Sequence, residues 1–91
     1  MTEDLLAEIQ CVLNKVRLRV NIVKLAQKLG CGAIDLNRDI IWSKLKEERG
    51  REIAEALGLD WNDVVALAKQ RWEHNRLYES ALGRLGEKVK L

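Results

Sequence analysis

The single histidine, His74, stands beside Glu73, and hydroxyl side chains occur only at Thr2, Ser43, Tyr78 and Ser80. Sequential residues leave a helix in different directions, so Glu73 does not orient His74 as a general base, and none of the hydroxyls lies in a nucleophile motif. Cys11 and Cys31 lack the close paired spacing that a zinc site or a redox pair uses. Each has apolar neighbours and reads as a buried free thiol. There is no glycine-rich phosphate loop. These residues give no catalytic site, no metal site and no cofactor, and the chain is expected not to be an enzyme.

Charge is the remaining source of chemistry. The 91 residues hold 16 bases and 14 acids, a net charge of +2 that hides segregation. Residues 15–34 carry Lys15, Arg17, Arg19, Lys24 and Lys28 with no acid, residues 35–63 are net acidic, and residues 64–91 are net basic. An interrupted basic surface of this kind suits phosphates, although on a helical protein a charge run is more often a solvated face. In "RWEHNRLYE" (71–79), Arg71, Asn75 and Tyr78 fall along one helical face. They read as a solvated face, a polar network or a nucleic-acid-facing stripe.

The elements that must position these groups are helical. Hydrophobic residues make up 47% and charged residues 33%, proline and phenylalanine are absent, and Leu, Ala, Glu, Lys and Arg are abundant. The expected fold is all-α, a compact bundle of four or five helices forming one domain over residues 1–86, with residues 87–91 as a flexible tail. The acidic start "MTEDLL" is unlike a secretory signal, and the longest apolar run, Val64 to Ala68, is far short of a membrane span. A cytoplasmic protein without a membrane partner is expected.

Thr2 is a candidate N-cap, followed by Glu3 and Asp4 in the first turn, and Leu5, Ile9, Val12 and Val16 form one apolar face. "KVRLRVN" (15–21) fits either an edge strand or a continuing helix, with a break at Asn21 that caps a helix to Leu29. Gly30 and Gly58 each follow a leucine as helix stops. Asp60 is a candidate cap for a long helix over 61–82, and the corresponding helix of the first half is expected to run to Glu48, before Gly50.

"LAQKLGCGAIDLNRDI" (25–40) and "IAEALGLDWNDVVALA" (53–68) repeat one pattern. Leu25 matches Ile53, Ala26 Ala54, Leu29 Leu57, Gly30 Gly58, Cys31 Leu59, Asp35 Asp63 and Leu36 Val64. The pattern resembles the helix-turn-helix DNA-binding superfamily, in particular bacterial repressor and winged-helix segments. A small residue lets the second helix approach the first, a glycine makes the turn, and apolar residues on either side close a small core. The resemblance covers about 20 residues per copy and places two such units at about 22–48 and 51–82. In the first copy Asp39 stands where that family has an apolar residue, whereas the second has Leu67.

The resemblance implies double-stranded DNA as a partner, a role in transcription regulation and a homodimer reading two half-sites. Mapped onto the first copy, it makes residues 33–44 the recognition helix. Asn37, Arg38, Ala33 and Ile41 would contact base edges, with Asn37 suited to adenine and Arg38 to guanine or a phosphate. Arg17, Arg19, Lys24, Lys28 and Lys44 would neutralise backbone phosphates. The second copy offers Trp61, Val65 and Lys69 at the equivalent positions, which suit a protein interface better than a base edge. The alternative reading is therefore an adaptor, or an inhibitor encoded by a phage or plasmid, that grips a protein through Trp61. Trp42 and Trp72 are assigned to the core.

Overall fold

A computed structural model describes residues 1–91, all in helices, turns and short connections with no strand. The expected all-α class is found, with six helices where four or five were expected. They are α1 (Glu3–Arg17), α2 (Ile22–Leu29), α3 (Ala33–Asn37), which passes directly into a π-helical turn (Arg38–Trp42), α4 (Glu47–Ala56), α5 (Trp61–Trp72) and α6 (Tyr78–Glu87).

The first helix starts because the Thr2 hydroxyl accepts the Leu5 N–H at 3.2 Å, with Glu3 and Asp4 at the positive end of the helix dipole. Ile9, Val12, Leu13 and Val16 then form a stripe that solvent does not reach. Against this stripe lie α5, α4, the π turn and α6, so α1 is the axis of the domain. It ends at Arg17 and a turn follows. Asn21 then opens α2, its side-chain oxygen accepting from the backbone N–H groups of Val23 (2.9 Å) and Lys24 (3.4 Å). The "KVRLRVN" segment is thus helix, turn and cap.

The repeated sequence gives a repeated helix stop. Gly30 and Gly58 take left-handed φ values of 74° and 78°. In each, the residue after the glycine bonds back five positions: Cys31 N to Ala26 O at 3.0 Å, and Leu59 N to Ala54 O at 2.9 Å. This is the pairing that satisfies the last carbonyls of a helix. Burial repeats too. Leu25 and Ile53, Ala26 and Ala54, Leu36 and Val64, and Ile40 and Ala68 are all buried.

After the turns the two halves part. Asp60 caps α5 by accepting the Asn62 N–H at 2.7 Å, and α5 continues for 12 residues. Its counterpart Gly32 has no side chain to cap with, and α3 lasts 5 residues before the π turn. The helix expected to reach Glu48 therefore ends at Trp42. The side chain of Gln10, from α1, receives the loosened end: its Nε2 donates to the carbonyls of Ile40 and Ser43 at 2.7 Å each and leans on that of Asp39 at 3.4 Å. Its Oε1 accepts the Leu45 N–H at 3.3 Å. One side chain thus satisfies helix-end groups that would otherwise be orphaned. Asp39, in the apolar position of the pattern, turns to an ion pair with Arg49 at 3.0 Å.

Gly50 does not end a helix. It lies buried inside α4, where an added Cβ would stand 3.1 Å from the Trp61 ring and 3.2 Å from Leu45. The missing side chain makes the slot that covers Trp61.

The single long helix expected over 61–82 is two helices, because His74 takes φ 53° and repeats the glycine stop without a glycine. His74 N bonds to Arg71 O at 3.1 Å and Asn75 N to Gln70 O at 3.0 Å, the same pair of spacings found at Gly30 and Gly58. Asn75 then accepts the Leu77 N–H at 2.9 Å and starts the approach to α6. In the segment expected to be a tail, Lys90 N donates to Leu57 O at 2.9 Å, tying the chain end to the second turn.

Left-handed backbone costs a residue with a Cβ roughly 1–2 kcal/mol, and glycine essentially nothing. Gly30→Ala, where the added methyl meets open space, is expected to lose about 1 kcal/mol in urea unfolding. Gly58→Ala is expected to lose more, because its methyl also meets Lys90 Cβ at 3.0 Å. His74→Gly is expected to gain about 1 kcal/mol. Gln10→Ala is expected to cost about 2 kcal/mol by removing several partly buried hydrogen bonds. Hydrogen exchange should then accelerate at residues 38–45 while α5 stays protected.

Candidate functional site

The outward side of α3 and the π turn is where the first copy of the repeat presents its side chains. Helical spacing puts Ile34, Arg38, Ile41 and Trp42 on it, and Ile34 and Trp42 are 79% and 81% exposed. Arg38 is ion-paired to Asp35 at 3.5 Å with both side chains 61% exposed, a contact of little net energy that another anion can replace. Ala33 is half-buried against the core. Asn37 is half-buried as well, its Oδ1 enclosed without a hydrogen-bond partner. Of the four residues expected at base edges, Arg38 and Ile41 face outward, and Ala33 and Asn37 are turned partly into the domain.

The expected phosphate contacts also divide. Lys24 and Lys28 are exposed on α2, Lys44 is exposed beyond the π turn, and none of the three has an ion-pair partner. Arg17 is half-buried and donates through Nε to Asn14 Oδ1 at 3.0 Å. Arg19 reaches toward α6, where its guanidinium lies so close to Gly86 that an added Cβ would stand 2.7 Å from Nη1. The basic run is therefore not one surface: Arg19 turns toward α6, while Lys24 and Lys28 lie on α2 before the glycine turn.

The tryptophans are placed opposite to expectation. Trp61 is only 9% exposed, covered over Gly50 and Leu45, with the Arg51 guanidinium 5.1 Å from its ring centre. It is a core residue and not an exposed anchor. Val65 beside it is half-buried on the core, and Lys69 is exposed. Trp42 and Trp72, expected inside, are both exposed, Trp72 by 55%. Trp42 belongs to the π turn and has no facing helix to cover it.

Compared with known protein families, curated proteins and solved structures, the chain matches none.

A second concave feature lies where α1, the end of α5 and the start of α6 meet. It is an open groove of about 500 Å³ lined by Glu8 and Lys15 of α1, Arg71 and Trp72 of α5, His74 to Arg76 of the connection, and Tyr78 and Glu79 of α6. Arg71 is held by an ion pair with Glu8, whose hydrogen bond raises the guanidinium pKa further above its ordinary value. Tyr78 is 7% exposed, and its hydroxyl is shut off from solvent beside Arg71. Lys15 Nζ stands over its ring, 5.7 Å from the centre. Burial raises the phenol pKa above its ordinary value near 10, with Glu79 adding to the rise and the adjacent Arg71 opposing it. Tyr78 is therefore a neutral donor throughout the physiological range.

Arg71, Asn75 and Tyr78, expected along one face of a continuous helix, are brought together here from α5, the connection and α6. The helix break at His74 was not signalled, and the break turns a helical stripe into the wall and floor of a concavity. No group of His, Cys, Asp and Glu is arranged to hold a metal ion. A third polar knot joins the repeats: Arg49 donates to Asp39 and, through Nη2, to the Cys31 sulfur at 3.2 Å. Burial would lower the Arg49 pKa, and these two hydrogen bonds outweigh it and raise it. Cys11 and Cys31 are both free and half-buried.

Tyr78 is the only tyrosine, so absorbance near 295 nm follows it alone. A phenol whose folded pKa is raised contributes stability that is intact below the unfolded value near 10 and is lost as pH rises through the folded value. Its absorbance midpoint is expected above that of the unfolded chain. Stability should fall on the alkaline side of pH 10, with the fall reduced in Tyr78→Phe. A midpoint equal to that of free tyrosine would contradict the buried placement.

Proposed function

We propose that this is a small DNA-binding protein without catalytic activity that presents the outward side of α3 to the major groove of a duplex. The observation carrying the reading is the combination, on consecutive elements across one glycine turn, of unpaired cations on α2 with an outward Ile34 on α3 and an outward, nearly free Arg38 at the start of the π turn. Lys24 and Lys28, with Lys44 beyond the π turn, supply phosphate contacts. Arg38 supplies a bidentate donor for guanine, or a further phosphate contact. Ile34 supplies apolar contact for a thymine methyl. Asn37 and Ala33 do not belong to this revised contact set. A helix of this length buries little surface alone, so a homodimer on two half-sites is part of the reading, and transcription regulation is the use it suggests.

A second reading is favoured by Trp42 and Ile41: a large exposed indole beside an exposed branched aliphatic suits a protein partner, since tryptophan is enriched at interface hot spots. In that case α3 and the π turn would hold an adaptor or inhibitor contact, with Trp42 in the role first given to Trp61.

Fluorescence anisotropy with a mixed-sequence duplex separates the two. About four phosphate contacts imply roughly a hundredfold loss of affinity between 50 and 200 mM salt. Lys28→Ala is expected to flatten the logarithmic salt slope by about 0.9, and Arg38→Ala to weaken binding while leaving the fold intact. Absence of salt-dependent binding would remove the DNA reading. Capture of a protein partner that survives Arg38→Ala and is lost in Trp42→Ala would establish the second.

A further inference from the structure

The helix at the centre of the domain has a second face. Ile9, Val12, Leu13 and Val16 point inward, so helical spacing puts Asp4, Ala7, Cys11, Asn14 and Leu18 on the opposite side. Ala7 is exposed there and Leu18 is 69% exposed. Concavities run along both flanks of this strip. On one flank Ala7, Gln10, Cys11 and Asn14 form a groove with Ile41 and Trp42 of the π turn. On the other, Glu8 and Lys15 border the groove described above, with Trp72 exposed in its wall. Short side chains thus lie between two exposed indoles, both at about the level of Cys11. An exposed apolar patch with a polar border is the mark of a protein contact.

The charges along the strip are ordered. Glu3 and Asp4 stand exposed at its start and Lys15 stands exposed toward its end, over the Tyr78 ring. None of the three is ion-paired within the chain.

We propose that this face is the contact between two copies of the chain, which set α1 against α1 in antiparallel about a two-fold axis at Cys11. Under that operation position 4 comes opposite position 18, and position 7 opposite position 15. Asp4 of one protomer then lies about 4.5 Å along the helix from Lys15 of the other, within a lysine's reach, and symmetry makes the pair twice. Ala7 and Cys11 are small enough for the helices to approach closely, and their dipoles oppose. Trp42 and Trp72, level with the axis, close the flanks as the aromatic part of the interface. The order of charge selects a second copy as the occupant. A partner must offer a base where this face has an acid, and an acid where it has a base, and the reversed face does so. The homodimer is what the DNA reading calls for, and to that extent the inference rests on that reading; the surface is chosen from α1, and it leaves Ile34 and Arg38 free.

Sedimentation equilibrium of the full chain, reduced and without DNA, tests it from micromolar to millimolar concentration. The mass is expected to rise toward twice that of the monomer. Ala7→Arg, at an exposed position, sets an arginine opposite Lys15 of the other copy and is expected to weaken association about tenfold or more. Lys15→Asp is expected to weaken it likewise, and the double variant Asp4→Lys with Lys15→Asp to restore it. Air oxidation catalysed by copper phenanthroline should join two copies through Cys11, the thiol pair giving up two hydrogens to oxygen. The cross-link is expected to persist in Cys31→Ser and to vanish in Cys11→Ser, which still sediments as a dimer when reduced.

A mass that stays monomeric at every concentration would overturn the proposal, as would a dimer that ignores Ala7→Arg and cross-links through Cys31. A monomer that captures a different protein, with capture lost in Ala7→Arg, would assign the face to that protein instead. Salt-dependent duplex binding by a monomer would refute the dimer and leave the DNA reading. A dimer that responds to Ala7→Arg and binds no duplex would do the reverse.

Discussion

The rest of the structure depends on the enclosure of one helical stripe. Ile9, Val12, Leu13 and Val16 are fully removed from solvent, and burying each such side chain is worth roughly 1.5–3 kcal/mol. No other helix contacts so many elements: α4, α5, α6 and the π turn all rest on α1. The two repeats therefore do not pack as separate modules. They share α1, and the second repeat, through α5, covers most of what the first leaves open.

Around this axis the chain solves one problem three times. A helix must stop, satisfy its last carbonyls and redirect the chain within a few residues, and the left-handed residue at 30, 58 and 74 does so with the same two hydrogen bonds each time. Two of the stops are glycine and serve packing. The third is histidine, and it opens onto a polar groove.

Much of this was legible in the sequence and some was not, for reasons particular to the residues. Glycine after a periodic leucine marks Gly30 and Gly58 because few other residues accept that backbone, and Thr2, Asn21 and Asp60 mark helix starts because their side chains bond the first free N–H groups. These signals are local. The π turn is not, because Gln10 satisfies it from a separate helix, so residues 33–48 read as one helix. The tryptophans failed for the same reason: Trp61 is covered because Gly50, on another helix, leaves a slot, and Trp42 is bare because nothing crosses over the turn. Asn37 and Arg38 are adjacent in the pattern, yet successive residues of a helix point about 100° apart, which leaves one half-buried and the other outside. The face of Arg71, Asn75 and Tyr78 was visible, but its concavity depends on a histidine in a conformation that sequence does not advertise.

The position of α1 as a shared axis also orders events in time. During synthesis α1 emerges first, and its principal cover, α5, is not complete until residue 72 has left the ribosome. For that interval the π turn, joined by α4 once residue 56 has emerged, is what can lie on the apolar stripe, and Gln10 is the residue that fastens the π turn. The hydrogen bonds of Gln10 thus hold the first cover on the stripe until α4 and then α5 complete it.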